Sequence, residues 1–176
     1  IARAAKAAPD GYTILLGSTS SLTAGQQART IAGSYPLGEF ASVVLFADSA
    51  RILIVRKDFP ATTLDEFNRY AKLHAKEMQY GSAGHGSGAH VCAALLNSVN
   101  GTAVSHVSYR GTSQAMLDLV AGRLDFICEQ VATAAQQITS GGVKPIAVLG
   151  PTRVPALPAI PTAKENGLAD VDCNSW

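Results

Sequence analysis

The chain has 176 residues, enough for one sizeable core or two small lobes. A composition that is 47% hydrophobic and 15% charged, with 16 glycines, excludes a disordered chain. The formal net charge is +1 with no run of Lys or Arg, which argues against a nucleic-acid partner. No apolar run approaches the roughly 18 residues of a membrane span, so no direct membrane insertion is expected.

The first residues, Ile1-Ala-Arg-Ala-Ala-Lys-Ala-Ala8, carry two cations and no long apolar stretch. They read as the tail of a helix rather than a signal peptide. Pro9-Asp-Gly11 is a turn, Tyr12–Gly17 reads as a buried strand, and Ser18–Gly25 follows as a hydroxyl-rich loop. After an irregular stretch through Tyr35-Pro36, two further strands are expected at Ala41–Ala47 and Ile52–Val55. Lys57-Asp-Phe-Pro60 breaks the pattern. Thr63 and Glu66 then form a capping box, opening a helix with Leu64, Phe67 and Ala71 on one face.

From there strands and helices alternate. The spacing predicts strands at Met78–Tyr80, Val104–Val107, Leu124–Cys128 and Pro145–Leu149. Between them it predicts a helix after His90 with Cys92, Leu95, Leu96 and Val99 on its apolar face, and helices over about 113–121 and 132–139. Met116, Leu119 and Val120 face inward on the second of these. Gly101, Gly122 and Gly141-Gly142 stand at helix ends, where a left-handed residue is wanted. This rhythm predicts a parallel, doubly wound sheet. Ligands of such sheets sit outside the carboxyl ends of the strands, here Ser18–Gly25, Ser82–His90, Tyr109–Thr112 and Glu129–Gln130. Pro151–Pro161 holds four prolines and reads as an extended connector before a short helix over 162–166, ended by Gly167.

The three cysteines are Cys92, Cys128 and Cys173, so at least one thiol is unpaired within the chain. None lies in a C-x-x-C pair. Cys92 and Cys128 read as buried small hydrophobes.

The loop Tyr80-Gly-Ser-Ala-Gly-His-Gly-Ser-Gly-Ala-His90 carries most of the chemistry. It aims the free N–H groups and positive dipole end of a helix at whatever sits in the loop, which is an anion site. Gly84-His-Gly-Ser-Gly-Ala89 fits the loose dinucleotide pattern. However, the next strand ends in Tyr109-Arg110 rather than in an acid that would hold a ribose. No lysine follows as in a Walker loop, so a carboxylate is preferred to a phosphate. Ser87 lies one position off a nucleophile elbow, and no third group is evident to orient His90. His74, His85, His90 and His106 show no metal-ligand spacing. Arg110 could pair with an anion, and Glu129-Gln130 could meet a ligand amine or a bridging water.

Six landmarks in order carry a resemblance. They are Ala7-Ala-Pro-Asp-Gly-Tyr-Thr13 with Leu15-Leu-Gly-Ser18; Tyr80-Gly-Ser-Ala-Gly-x-Gly-Ser87 with His90; and His106-Val-x-Tyr-Arg-Gly111. After these come Val120-Ala-Gly-x-Leu-Asp-Phe126, Leu157-Pro-x-x-Pro161-Thr and Ser175-Trp176. The chain resembles the extracytoplasmic solute receptors of tripartite tricarboxylate transporters, the Bordetella uptake gene family. The resemblance implies an α/β fold of the periplasmic binding protein type II, with two doubly wound lobes joined by crossover strands and one lobe incomplete. It implies residues 1–50 in the first lobe, 51–165 in the second with a crossover strand, and 166–176 starting the return. The family's Tyr-Pro-x-Gly-Gly cradle loop has no counterpart here, so an interior stretch of a longer receptor is expected.

In that family a small carboxylate is held by backbone amides, hydroxyls and waters at helix N-termini. By position the role falls on Ser18 and Thr19, on Ser82, Ala83, Gly84, Ser87 and His90, and on Thr112. Ser20, His85 and Gln130, in the same candidate loops, complete the expected ligand-binding set. No catalytic residue, metal or cofactor is expected. The implied partners are a small carboxylate and membrane permease subunits, with a periplasmic location and a monomeric state. The ligand class spans di- and tricarboxylates, acidic amino acids and aromatic carboxylates. Two other classes stay open: a hydrolase using Ser87 and His90, and the effector-binding domain of a transcription regulator. The absence of a helix-turn-helix pattern or basic patch counts against the regulator.

Overall fold

The computed structural model describes residues 1–19, 21–22, 37–168 and 170–176. A helical turn, α1 (Ala2–Ala5), opens the chain. The main body begins at β1 (Arg51–Arg56) and continues through α2 (Leu64–His74), β2 (Gln79–Ser82), α3 (Gly88–Asn100) and β3 (Ser105–Ser108). It ends with α4 (Thr112–Val120), β4 (Phe126–Gln130), α5 (Val131–Thr139) and β5 (Val143–Val148), followed by a 3-10 turn at Lys164–Asn166.

The strands form one sheet in the order β3-β2-β4-β1-β5. Strand β2 pairs in parallel with β3 and β4. Strand β1 runs antiparallel to both β4 and β5. The four strands that alternate with helices, β2 to β5, thus run in one direction as expected, and β1 is inserted between β4 and β5 against them, which makes the sheet mixed. Ile52–Val55 is wholly buried, as any central strand would be, and burial carries no information about strand direction.

Alternate residues of each central strand feed two cores. Leu53, Val55, Phe126 and Cys128 pack on the face covered by α2 and α3, with Phe59, Phe67 and Leu96. Ile52, Ile54 and Ile127 pack on the other face with Ala115 and Leu119 of α4 and Ala134 of α5. The α2 start is the expected capping box: Thr63 Oγ1 accepts the Glu66 N–H and Glu66 reaches back to the Thr63 N–H. Its inward face is Leu64, Phe67 and Ala71, as expected. Gly101, Gly122 and Gly141 have positive φ at helix ends. On α3 the buried stripe is Ala89, Cys92, Ala93, Leu96 and Asn100, so Val99 is exposed rather than inward. Val120 is likewise exposed, because α4 rests on the sheet through Ala115 and Leu119.

Two expectations fail ahead of β1. Tyr12–Gly17 and Ala41–Ala47 are not strands, and their apolar side chains stand in solvent, with Tyr12 93% and Phe46 85% exposed. They have β-forming residues, but among the described residues no strand lies beside them, and an unpaired strand is not stable in water. Cys92 is also corrected: it is bonded to Cys173 across 81 positions, tying α3 to the C-terminal segment. Cys128 remains a free, buried thiol, and burial pushes its pKa up to about 12. The C-terminal segment returns alongside the start of β1, with Ser49 and Ser175 exchanging backbone hydrogen bonds of 2.8 and 3.0 Å.

Candidate functional site

The parallel strands β2, β3 and β4 each run directly into a helix, so the N-termini of α3, α4 and α5 gather at their carboxyl ends. The Tyr109 N–H donates to Ser82 O at 2.9 Å, holding the first two of these loops side by side. Positive dipole ends therefore face this edge of the sheet, although the His90 N–H is capped by Ser87 Oγ and the Val131 N–H donates to Ala50 O at 3.0 Å.

Much of the predicted hydroxyl set is consumed inside the β2–α3 loop. Ser82 is fully buried, and its Oγ accepts the Gly84 N–H, donates to Gly84 O and lies 2.6 Å from His106 Nε2. Ser87 is the N-cap of α3, its Oγ accepting the His90 N–H at 3.3 Å. The His90 ring instead accepts the Gly86 N–H at Nδ1. Among the described residues no hydrogen bond joins the Ser87 hydroxyl to the His90 ring, so the pair a hydrolase would need is not assembled. Gly84 and Gly86 have φ of +111° and +76°, values that glycine adopts without strain and that let the loop close this tightly. Ala83 is half-buried on the same loop.

One side of the α3 N-terminus borders a cavity of about 100 Å³. It is lined by Gly88, Val91, Cys92 and Leu95 of α3, by Arg51, by Thr19, and by residues 172–175. Arg51 is the residue the sequence did not flag. It is only 6% exposed, and a Cβ on Gly88 would collide with its guanidinium. Its one hydrogen bond among the described residues is a long one, Nη1 to Cys128 O at 3.4 Å, and no carboxylate lies within ion-pair distance. Burial lowers its pKa, and the nearby Cys128 and Glu129 only partly offset this. A buried guanidinium beside a helix N-terminus brings two positive features to one cavity, whose lining also includes the carboxylate residue Asp172. The only sequence signal was an arginine set directly against the apolar run Ile52–Val55.

On the other side of the same helix turn three histidines meet. His90 lies two positions from Gly88, about 200° around the helix axis from the cavity. Ring centroids are 5.1 Å apart for His85–His90, 4.7 Å for His85–His106 and 4.4 Å for His90–His106. The parallel register places His106 opposite Tyr80, and the two rings stack at 4.9 Å. Burial, and then the neighbouring imidazoles, lowers the His106 pKa to about 4, and burial followed by His85 lowers that of His90. The expectation that these histidines share no ligand spacing is corrected. His106 comes from a different element, strand β3, but one ring nitrogen of each lies within 4.8 Å of the other two.

The remaining predicted residues are more scattered. Ser18 and Ser21 bond to each other. The Thr19 hydroxyl accepts the Trp176 N–H at 3.1 Å while Thr19 also lines the cavity. Ser20 lies outside the described residues. Thr112 opens α4 after Gly111, and Gln130 is the N-cap residue of α5 without a side-chain cap bond. Arg110 is exposed.

Comparison with known proteins gives a consistent picture. The family described as "Tripartite tricarboxylate transporter family receptor" matches residues 1–176. A UPF0065 protein of the TAR-I ttuE-ttuC' intergenic region of Agrobacterium vitis is 34% identical over 99% of this chain and 50% of its own length. Protein BugT of Bordetella pertussis is 28% identical over 98% of this chain and 53% of its own length. The chain thus spans about half the length of these curated relatives. Among solved structures, MatC from Rhodopseudomonas palustris with bound malate superposes with a TM-score of 0.86 at 32% identity, over 99% of this chain and 60% of that one. The periplasmic binding protein BugD gives 0.84 at 33% identity, covering 99% and 58%. Rpa4515 of R. palustris with adipate gives 0.87 at 27% identity, again covering 99% and 58%.

Proposed function

From the membership of this chain in the tripartite tricarboxylate transporter receptor family, we propose that it captures a small carboxylate in the periplasm and presents it to membrane permease subunits. The fold is that of the periplasmic binding proteins, with a partial lobe represented, and no helix among the described residues is long and apolar enough to cross a membrane.

The observation that carries the reading is Arg51. Its buried guanidinium faces the cavity beside the first turn of α3 and lacks a carboxylate partner. A ligand carboxylate there accepts from Arg51 and from the Gly88 and Ala89 N–H groups, while Thr19, Asn174 and Ser175 supply polar contacts on the opposite wall. Ser82, Ala83, Gly84 and Ser87 keep the role of shaping that turn. Thr112 and Gln130 mark where the neighbouring helices add donors. Nothing in this arrangement activates a nucleophile. The malate and adipate held by structural neighbours belong to the same chemical class as the proposed ligand.

Titration calorimetry of the protein at its full natural length against malate, adipate, glutamate and benzoate tests this. Saturable binding is expected, with the ligand recovered unchanged. No heat with any of the four, or release of a reaction product, overturns the reading.

A further inference from the structure

We propose that His85, His90 and His106 form a site for one divalent transition-metal ion of the class that imidazole favours, zinc, nickel or copper(II). The site stands on the opposite side of the α3 turn from the Arg51 cavity and does not depend on the carboxylate reading.

The geometry is built from three separately fixed backbones. His85 sits on the loop between Gly84 and Gly86, His90 in the first turn of α3, and His106 on β3. One nitrogen of each ring lies within 4.8 Å of the other two. Three imidazoles on a tetrahedral ion need their nitrogens about 3.3 Å apart for metal–nitrogen bonds of about 2.0–2.1 Å. The nitrogens therefore have to approach one another by up to about 1.5 Å for an ion to bind.

Two details favour an ion over simple ring packing. First, His106 Nδ1 is buried with no hydrogen-bond partner, while its Nε2 lies 2.6 Å from the Ser82 hydroxyl. In the tautomer that puts the His106 proton on Nε2, toward the Ser82 oxygen, Nδ1 keeps a bare lone pair. A ligating histidine held by an outer hydrogen bond has this arrangement. Second, the stacking of Tyr80 on His106 and Phe126 accounts for a ring at His106 but not for His85, which is exposed. His90 Nδ1 accepts the Gly86 N–H at 3.3 Å, which places the His90 proton on Nε2, so ligation by His90 has to break this long contact. Three protein nitrogens leave the fourth position of the ion to solvent or to an anion, as in exchangeable rather than purely structural zinc sites.

The test uses the full-length protein without an affinity tag, stripped with EDTA, dialysed, and titrated with zinc chloride in a non-chelating buffer without any carboxylate. One ion per chain is expected, with micromolar affinity, and cobalt(II) should give tetrahedral visible absorption. H85A, on the exposed loop, and H106Q should each weaken zinc binding by at least about tenfold, the size of effect that even an outer-shell change produces. H74A, which removes the other histidine of this sequence and lies on α2, should leave it unchanged. No zinc binding, unchanged binding in H85A, or equal weakening by H74A overturns the proposal. Malate titration of the EDTA-stripped protein is scored separately, so failure of the metal site and failure of the carboxylate site are told apart.

Discussion

The two sides of the α3 N-terminus have opposite chemical character although they share one turn of chain. One side gathers positive features, the Arg51 guanidinium and the first helical N–H groups, around a small cavity. The other gathers three imidazoles, and burial lowers the basicity of His90 and His106 among them. The difference arises from which neighbour each side packs against. The cavity side meets β1 and the C-terminal segment, and the histidine side meets the edge strand β3. A helix N-terminus is therefore not specific by itself. Its neighbours decide whether it holds an anion or stands next to a cation.

The largest way to break this contrast is to cut the Cys92–Cys173 bond, which pins residues 172–175 against α3. On chain-entropy grounds, closing a loop of that length stabilises by about 4–5 kcal/mol. C92S/C173S should lower the unfolding free energy in urea by that order and weaken malate more than zinc. Next is Arg51→Met, which keeps bulk and removes charge. Carboxylate affinity should fall by about 2–5 kcal/mol, as for other buried charge pairs that lose one partner. Calorimetry showing unchanged affinity would move the anion elsewhere. Gly88→Ala pushes the flexible guanidinium aside, so carboxylate affinity should drop about tenfold, or 1.4 kcal/mol, with zinc binding retained. The smallest effect is Ser87→Ala. It removes the α3 cap and should cost about 1 kcal/mol of stability by denaturant unfolding. A loss of about 1.5–3 kcal/mol in ligand affinity would instead place that hydroxyl on the ligand.

The local rules were legible and mostly held. Thr63 with Glu66, the glycines after α3, α4 and α5, and the alternation from Met78 onward all describe features that neighbours within a few residues enforce. Tyr12–Gly17 and Ala41–Ala47 show the limit of the same reasoning. Their composition favours strands, but a strand forms only against another, and pairing is not written in either segment. At the candidate site, the Ser82–His90 loop does lead from β2 into α3, and its hydroxyls turn inward to build that turn. Arg51 carries no motif in the sequence and only precedes the apolar run Ile52–Val55. Only the packing of β1 under the α3 turn made it a buried charge.

The amino-acid order alone determined the β/α rhythm, the helix caps and the convergence of helix N-termini at one edge, because these depend on contacts a few residues apart. Tertiary structure decided the direction of β1, the Cys92–Cys173 bond, the Arg51 cavity and the meeting of His85, His90 and His106. Each of those joins segments through lateral strand register and chain return, which the periodicity of a single segment does not encode.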